Sequence, residues 1–159
     1  MTADKAPGKA AKAGKAGKAV GRLPKAGPVP CPCGSADYDA CCGRFHRGEA
    51  LPPNAEALMR SRYSAYVLND IDWLRETWHP STCPPDLVPD TATRWLGLTV
   101  KTHAQQDDTH AEVEFVARYK VGGRALRLHE RSRFVHEPRA PGEAPRWLYV
   151  DGDMIGETS

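Results

Sequence analysis

At 159 residues, 40% hydrophobic and 26% charged, the chain has room for one domain with a buried core and flanking segments. No apolar run approaches the ~18 residues of a spanning helix, and no apolar stretch follows the cationic N-terminus as a secretory signal requires. The formal charge of +2 is unevenly placed, because residues 1–28 set seven lysines and arginines against Asp4 alone and leave the rest mildly acidic.

In chain order, residues 1–28 repeat Lys, Ala and Gly with no large apolar residue before Val20, which predicts a disordered basic tail. Such a polycation can touch nucleic-acid phosphates without sequence preference, and nucleic-acid contact is expected only through this segment. A solubilising tail, or a start codon read too early, are the plainer explanations. Residues 29–48 hold the cysteine-rich segment, and Gly48, Pro52 and Pro53 mark a linker to a larger domain over 49–159. Ala55, Leu58, Met59, Tyr63, Tyr66 and Val67 recur every three or four residues, an amphipathic helix with Asn54 as N-cap. Asn69 or Asp70 interrupts it, and Ile71, Leu74 and Trp78 predict a shorter helix before Pro80. Residues 80–90 read as loop and "TATRWL" as a third short turn of helix.

From Leu96 the period becomes two, with Leu96, Leu98, Val100 and Thr102 on one face. After "QQDD" a second strand aligns Ala111, Val113, Phe115, Ala117 and Tyr119. Gly122-Gly123 predicts a hairpin turn into a third strand that aligns Leu126, Leu128, Glu130, Ser132 and Phe134. "RWLYVDG" supplies the last strand, with Trp147 facing out and Leu148 and Val150 on the other face. Helices followed by antiparallel strands are an α+β layout, with a sheet expected to bend around the helices and leave a cavity.

Four of the five cysteines lie in "CPCGSADYDACC": Cys31 and Cys33 one residue apart, then adjacent Cys41 and Cys42 after a seven-residue loop. The absence of a secretory signal points to the cytoplasm, where thiols stay reduced, so the cluster reads as a metal site before a disulfide framework. A bridge between adjacent Cys41 and Cys42 would also be strained. Four thiolates close a tetrahedral shell around Zn²⁺, and a segment this short would draw most of its folding free energy from that ion. A closed shell leaves no position for a catalytic water, so the zinc is expected to be structural. His46 is an alternative fourth ligand, and isolated Cys83 reads as a bystander.

"CPCGS" with the cysteine pair resembles the SEC-C motif, the zinc module of the preprotein translocase ATPase, where it is associated with contacting an export chaperone and ribosomes. The continuation "CCGRFHRG", "ALMRSRYSAYV", "TWHP", "LHERSRF" and "WLYVDG" resembles the bacterial YchJ family across residues 31–152. The resemblance implies a SEC-C zinc knuckle with ligands Cys31, Cys33, Cys41 and Cys42, joined to a nuclear transport factor 2-like cone of antiparallel sheet packed on helices. It implies a protein partner met through the knuckle, as expected of a non-enzymatic adaptor, and domains of this fold often form homodimers. The loop between the cysteine pairs is one residue shorter than usual, and no second cysteine cluster follows "WLYVDGDM".

Glu130 shares its face with Leu126, Leu128 and Phe134, so a carboxylate points to the apolar side and needs a partner. Arg62, on the apolar stripe between Met59 and Tyr66, is the expected one. The pair serves either as a structural lock or, with Ser132 and Tyr63, as a small-molecule or catalytic pocket. Arg127, His129, Arg131 and Arg133 fall on the opposite face, as solvated surface or as a seat for an acidic partner or phosphates. His79 is expected at a helix C-terminus, and Trp73, Trp78 and Trp95 in the core. No Ser-His-Asp spacing, phosphate-cradling glycine loop or dinucleotide fingerprint is present.

Overall fold

A computed structural model describes residues 27–158; the tail expected over 1–28 lies, but for its last two residues, outside them. Three helices, α1 (Cys42–His46), α2 (Ala55–Leu68) and α3 (Ile71–Glu76), precede four strands. The strands are β1 (Arg94–Gln105), β2 (His110–Val121), β3 (Arg124–Pro138) and β4 (Pro145–Thr158), in one antiparallel sheet of order β1-β2-β3-β4. This is the α+β architecture expected. Among the described residues no helix is long and apolar enough to cross a membrane.

Local chemistry sets the helix ends. Asn54 Oδ1 accepts the Ala57 N–H at 2.8 Å and starts α2 as its N-cap. Asn69 ends α2 in the left-handed region at φ 57°, and Asp70 caps α3 by accepting the Trp73 N–H at 3.1 Å. The two candidate breakers thus divide the work, one closing a helix and the next opening another. α3 stops at Glu76, short of Trp78, because residues 77–79 turn to the free edge of β4. There the Tyr149 N–H donates to Thr77 O at 2.8 Å and the His79 N–H to Tyr149 O at 2.7 Å. That contact covers part of an edge strand that would otherwise expose its ladder.

α2 packs against β1, β2 and β4, and its buried residues Leu58, Met59 and Tyr63 meet Val113, Phe115, Ala117 and Phe134. Three expectations are corrected. "TATRWL" forms no helical turn: Arg94 and Trp95 already pair with Lys120 and Tyr119, and the Trp95 ring packs on Tyr63, Tyr66 and Tyr119. A register shift between Trp95 and Gly97 then inserts a residue, so Leu98 and Val100 pack on the core while Leu96 is exposed. Trp147 is buried, because it shares a face with core-facing Tyr149, which pairs with Phe134; Leu148, one residue out of phase, is buried too.

Candidate functional site

The knuckle is built by backbone turns before any metal is considered. The Gly34 N–H donates to Cys31 O at 2.9 Å and the Cys31 N–H to Ser35 O at 3.0 Å. Gly34 has φ +113°, a conformation that side chains disfavour and that lets Cys33 fold back beside Cys31. Short helix α1 then brings Cys42 under the turn. The four Sγ atoms lie within 4.8 Å of one another, with Cys33–Cys41 at 3.6 Å and Cys41–Cys42 at 3.9 Å. Zinc–sulfur bonds near 2.3 Å imply tetrahedral edges of about 3.8 Å, so the donor set fits an ion of that kind. Cys33 is driven toward thiolate by the hydrogen bond it receives from Cys42, and Cys42 holds its proton more firmly for the same reason, burial adding to the effect. Burial also pushes the Cys41 thiol up. A cation held at the centre would remove this conflict by keeping every sulfur as thiolate.

His46 is committed elsewhere. Its Nε2 faces the Ser61 carbonyl at 2.9 Å and must donate, so Nδ1 accepts from the Tyr38 hydroxyl at 2.7 Å. With both nitrogens engaged, the imidazole is a latch onto α2. Cys31 Sγ touches Ser64 Oγ at 3.5 Å, and Arg60 donates to Cys33 O at 3.1 Å, two further ties to the same helix. Cys83 lies apart, its Sγ against Pro84 O.

The other side of α2 faces a cavity of about 270 Å³. Arg62, Tyr63, Glu130 and Ser132 all line it, joined by residues that sequence alternation passed over, Tyr149 and Trp95 foremost. Their signals were present: Tyr149 alternates with Trp147, and Trp95 precedes a period-two run. The expected Arg62–Glu130 ion pair is absent. Arg62 Nη1 instead donates to Leu74 O at 3.0 Å and Thr77 Oγ1 at 2.8 Å, and the guanidinium sits over the Trp78 and Tyr149 rings at 4.7 and 4.5 Å. Carbonyl, hydroxyl and two π-faces satisfy the cation without a carboxylate. Glu130 Oε2 accepts from Ser132 Oγ at 2.9 Å and from the Tyr149 hydroxyl at 3.3 Å. Gly152 leaves space for that carboxylate, since a Cβ there would collide with Glu130 Oε2.

Three of the four basic side chains on the arginine face of β3 are paired within the sheet. His129 pairs with Glu114 at 2.7 Å, Arg131 with Glu114 at 3.5 Å, and Arg133 with Asp151 and Asp153 at 2.7 and 2.8 Å. His79 lies beyond the end of α3. Its Nε2 meets Glu137 Oε2 at 2.7 Å, and its Nδ1 accepts from both Ser81 Oγ at 2.7 Å and the Ser81 N–H at 3.1 Å. This Ser-His-Glu line lies outside the cavity. The Ser81 N–H is spent on the ring and the Thr82 and Cys83 N–H groups on His79 O, so the line organises the 79–83 turn.

Comparison with known proteins agrees with this geometry. Residues 54–152 match the family model described as YchJ, middle NTF2-like domain. A UPF0225 protein of Cupriavidus pinatubonensis is 80% identical over 139 residues, 87% of this chain and 97% of its own length. One from Bordetella parapertussis is 55% identical over 137 residues, covering 84% and 98%. The solution structure of a SEC-C motif containing protein from Rhodopseudomonas palustris is similar at 35% identity and TM-score 0.66, covering 80% of this chain and all of that one. A crystal structure of a SEC-C motif containing protein from Psychrobacter arcticus is similar at 29% identity and TM-score 0.66, covering 82% and 85%. With an NTF2-like sheet, a cysteine cluster able to hold a metal ion and these relatives, the chain belongs to the YchJ (UPF0225) family.

Proposed function

We propose that this is a zinc-stapled binding protein, in which Cys31, Cys33, Cys41 and Cys42 hold a structural zinc and the cavity beside α2 takes a small ligand. The cavity carries the reading: aromatic walls enclose a few convergent polar groups, the usual form of a small-molecule site. The Ser132 hydroxyl donates to the Glu130 carboxylate, which the Tyr149 hydroxyl also meets, and we read this set as a polar anchor for a bound ligand. Zinc in a closed sulfur shell supplies rigidity and no reactive water. The test is a fragment screen on the zinc-loaded full chain, reading the Trp95 indole and the Tyr149 ring by NMR. Localised shifts at these residues are expected; a library that leaves both unmoved overturns the reading.

A second reading, an adaptor that meets another protein through the knuckle, is favoured by apolar side chains left uncovered on either side of it, Val29 at 70% and Leu51 at 49% exposure. It requires that Val29→Asp with Leu51→Asp abolish a cross-linked partner while cavity variants retain it. A cytoplasmic setting suits either reading, since both need the four thiols reduced before metal enters.

A further inference from the structure

Arg62 and Glu130 place opposite charges on one cavity without meeting. Arg62 is 6% exposed, and among the described residues no carboxylate lies within ion-pair distance of it. Both of its hydrogen bonds run from Nη1, to Leu74 O and Thr77 Oγ1. Glu130 uses Oε2 for both of its hydrogen bonds, and among the described residues Oε1 has no donor. Arg62 keeps donors beyond those two bonds and Glu130 keeps an acceptor oxygen, so among the described residues one cavity offers an unused donor beside an unused acceptor. The remaining walls are apolar and aromatic, with Tyr63, Tyr66, Trp95 and Phe115 among them. At about 270 Å³ the space is slightly below the usual drug-sized pocket of roughly 300–1,000 Å³, which suits a molecule with a single ring.

The two charges cancel, and that decides the ligand class. An anion would satisfy Arg62 and be repelled by Glu130; a cation would do the reverse. A neutral head with an acceptor beside a donor satisfies both. Resting on the reading of this cavity as a ligand site, we propose that it binds a neutral single-ring carboxamide or lactam. The carbonyl oxygen accepts from Arg62, the N–H donates to Glu130, and the ring lies among Trp95, Tyr63 and Phe115.

The experiment titrates the zinc-loaded full chain with benzamide, benzoate and benzylammonium, following the Trp95 indole N–H by NMR. Benzamide is expected to bind tighter than either charged probe by about tenfold, the worth of one hydrogen bond to a charged group. In Glu130→Gln, which keeps the shape and removes the negative charge, benzoate is expected to gain on benzamide. Tightest binding of benzoate or benzylammonium to the wild type, or an unchanged benzamide-to-benzoate affinity ratio in the variant, overturns the ligand class. If none of the three binds while other fragments shift Trp95, the class fails and the cavity reading stands. If no fragment of any kind shifts Trp95, the cavity reading itself fails.

Discussion

Tyr149 shows how much one side chain can join. Its ring stacks edge-on to Trp78 and Phe134, its face covers Arg62, and its hydroxyl donates to Glu130. Burial first, and the neighbouring Glu130 charge second, oppose ionisation and hold the phenol above its ordinary range. The folded-state value therefore exceeds the unfolded value of about 10. The stability this adds is present below about pH 10 and is lost as pH rises through the raised folded value, where the unfolded chain sheds a proton that the native one keeps. Urea midpoints measured from about pH 8 to 11 are expected to fall less steeply in Tyr149→Phe than in wild type. Equal slopes would place the alkaline sensitivity elsewhere. Tyr63 and Tyr38, also pushed up by burial, contribute to the residual slope of the variant.

At the scale of elements, α2 serves two sites with opposite faces. Ser61 and Ser64 meet His46 and Cys31 of the knuckle, while Met59, Arg62, Tyr63 and Tyr66 line the cavity. The helical period makes this unavoidable, since residues three or four apart share a face and their neighbours look the other way. The latch is separable from the metal shell. His46→Ala is expected to keep the wild-type metal content per chain, measured by elemental analysis, and to lower stability to urea by about 1–3 kcal/mol through two broken hydrogen bonds. Loss of metal in this variant would return His46 to the ligand set.

For the whole molecule, the consequence is cooperativity between knuckle and sheet. Cys31, Cys33, Cys42 and Phe45 belong to the same buried cluster as Leu58, Trp73, Phe115 and Phe134. Trp73 ties the layers further, donating from Nε1 to Ser61 Oγ at 2.9 Å with its ring against His46. Chelation is therefore expected to move a single thermal transition down by on the order of 10 °C, read by calorimetry or circular dichroism, because metal bound by the knuckle would contribute folding free energy. Two transitions with the upper one unmoved would mean that the knuckle folds on its own account.

Much was legible from residues alone. The cysteine spacing, the Asn54 cap, the helical stripe of 55–67, the Gly122-Gly123 hairpin and the alternation of β2 and β3 are local patterns, each set by bonds or side chains a few residues apart. The inward set of Glu130 could also be read, because alternation fixes parity within a strand. What the sequence could not decide was anything resting on contacts distant along the chain. The strand at Trp95 exists because Tyr119 and two tyrosines of α2 receive its ring, and local propensity does not contain those partners. Which face of β4 is inward depends on its register with Phe134, and one slipped residue reverses it. The partner of Arg62 was the sharpest case: charge pointed to Glu130, yet in the fold a carbonyl, a threonine and two aromatic faces reach the guanidinium first. The residues on their own determined a metal-competent knuckle, a helix pair and a meander; only the tertiary structure set Arg62 and Glu130 on one cavity without an ion pair between them.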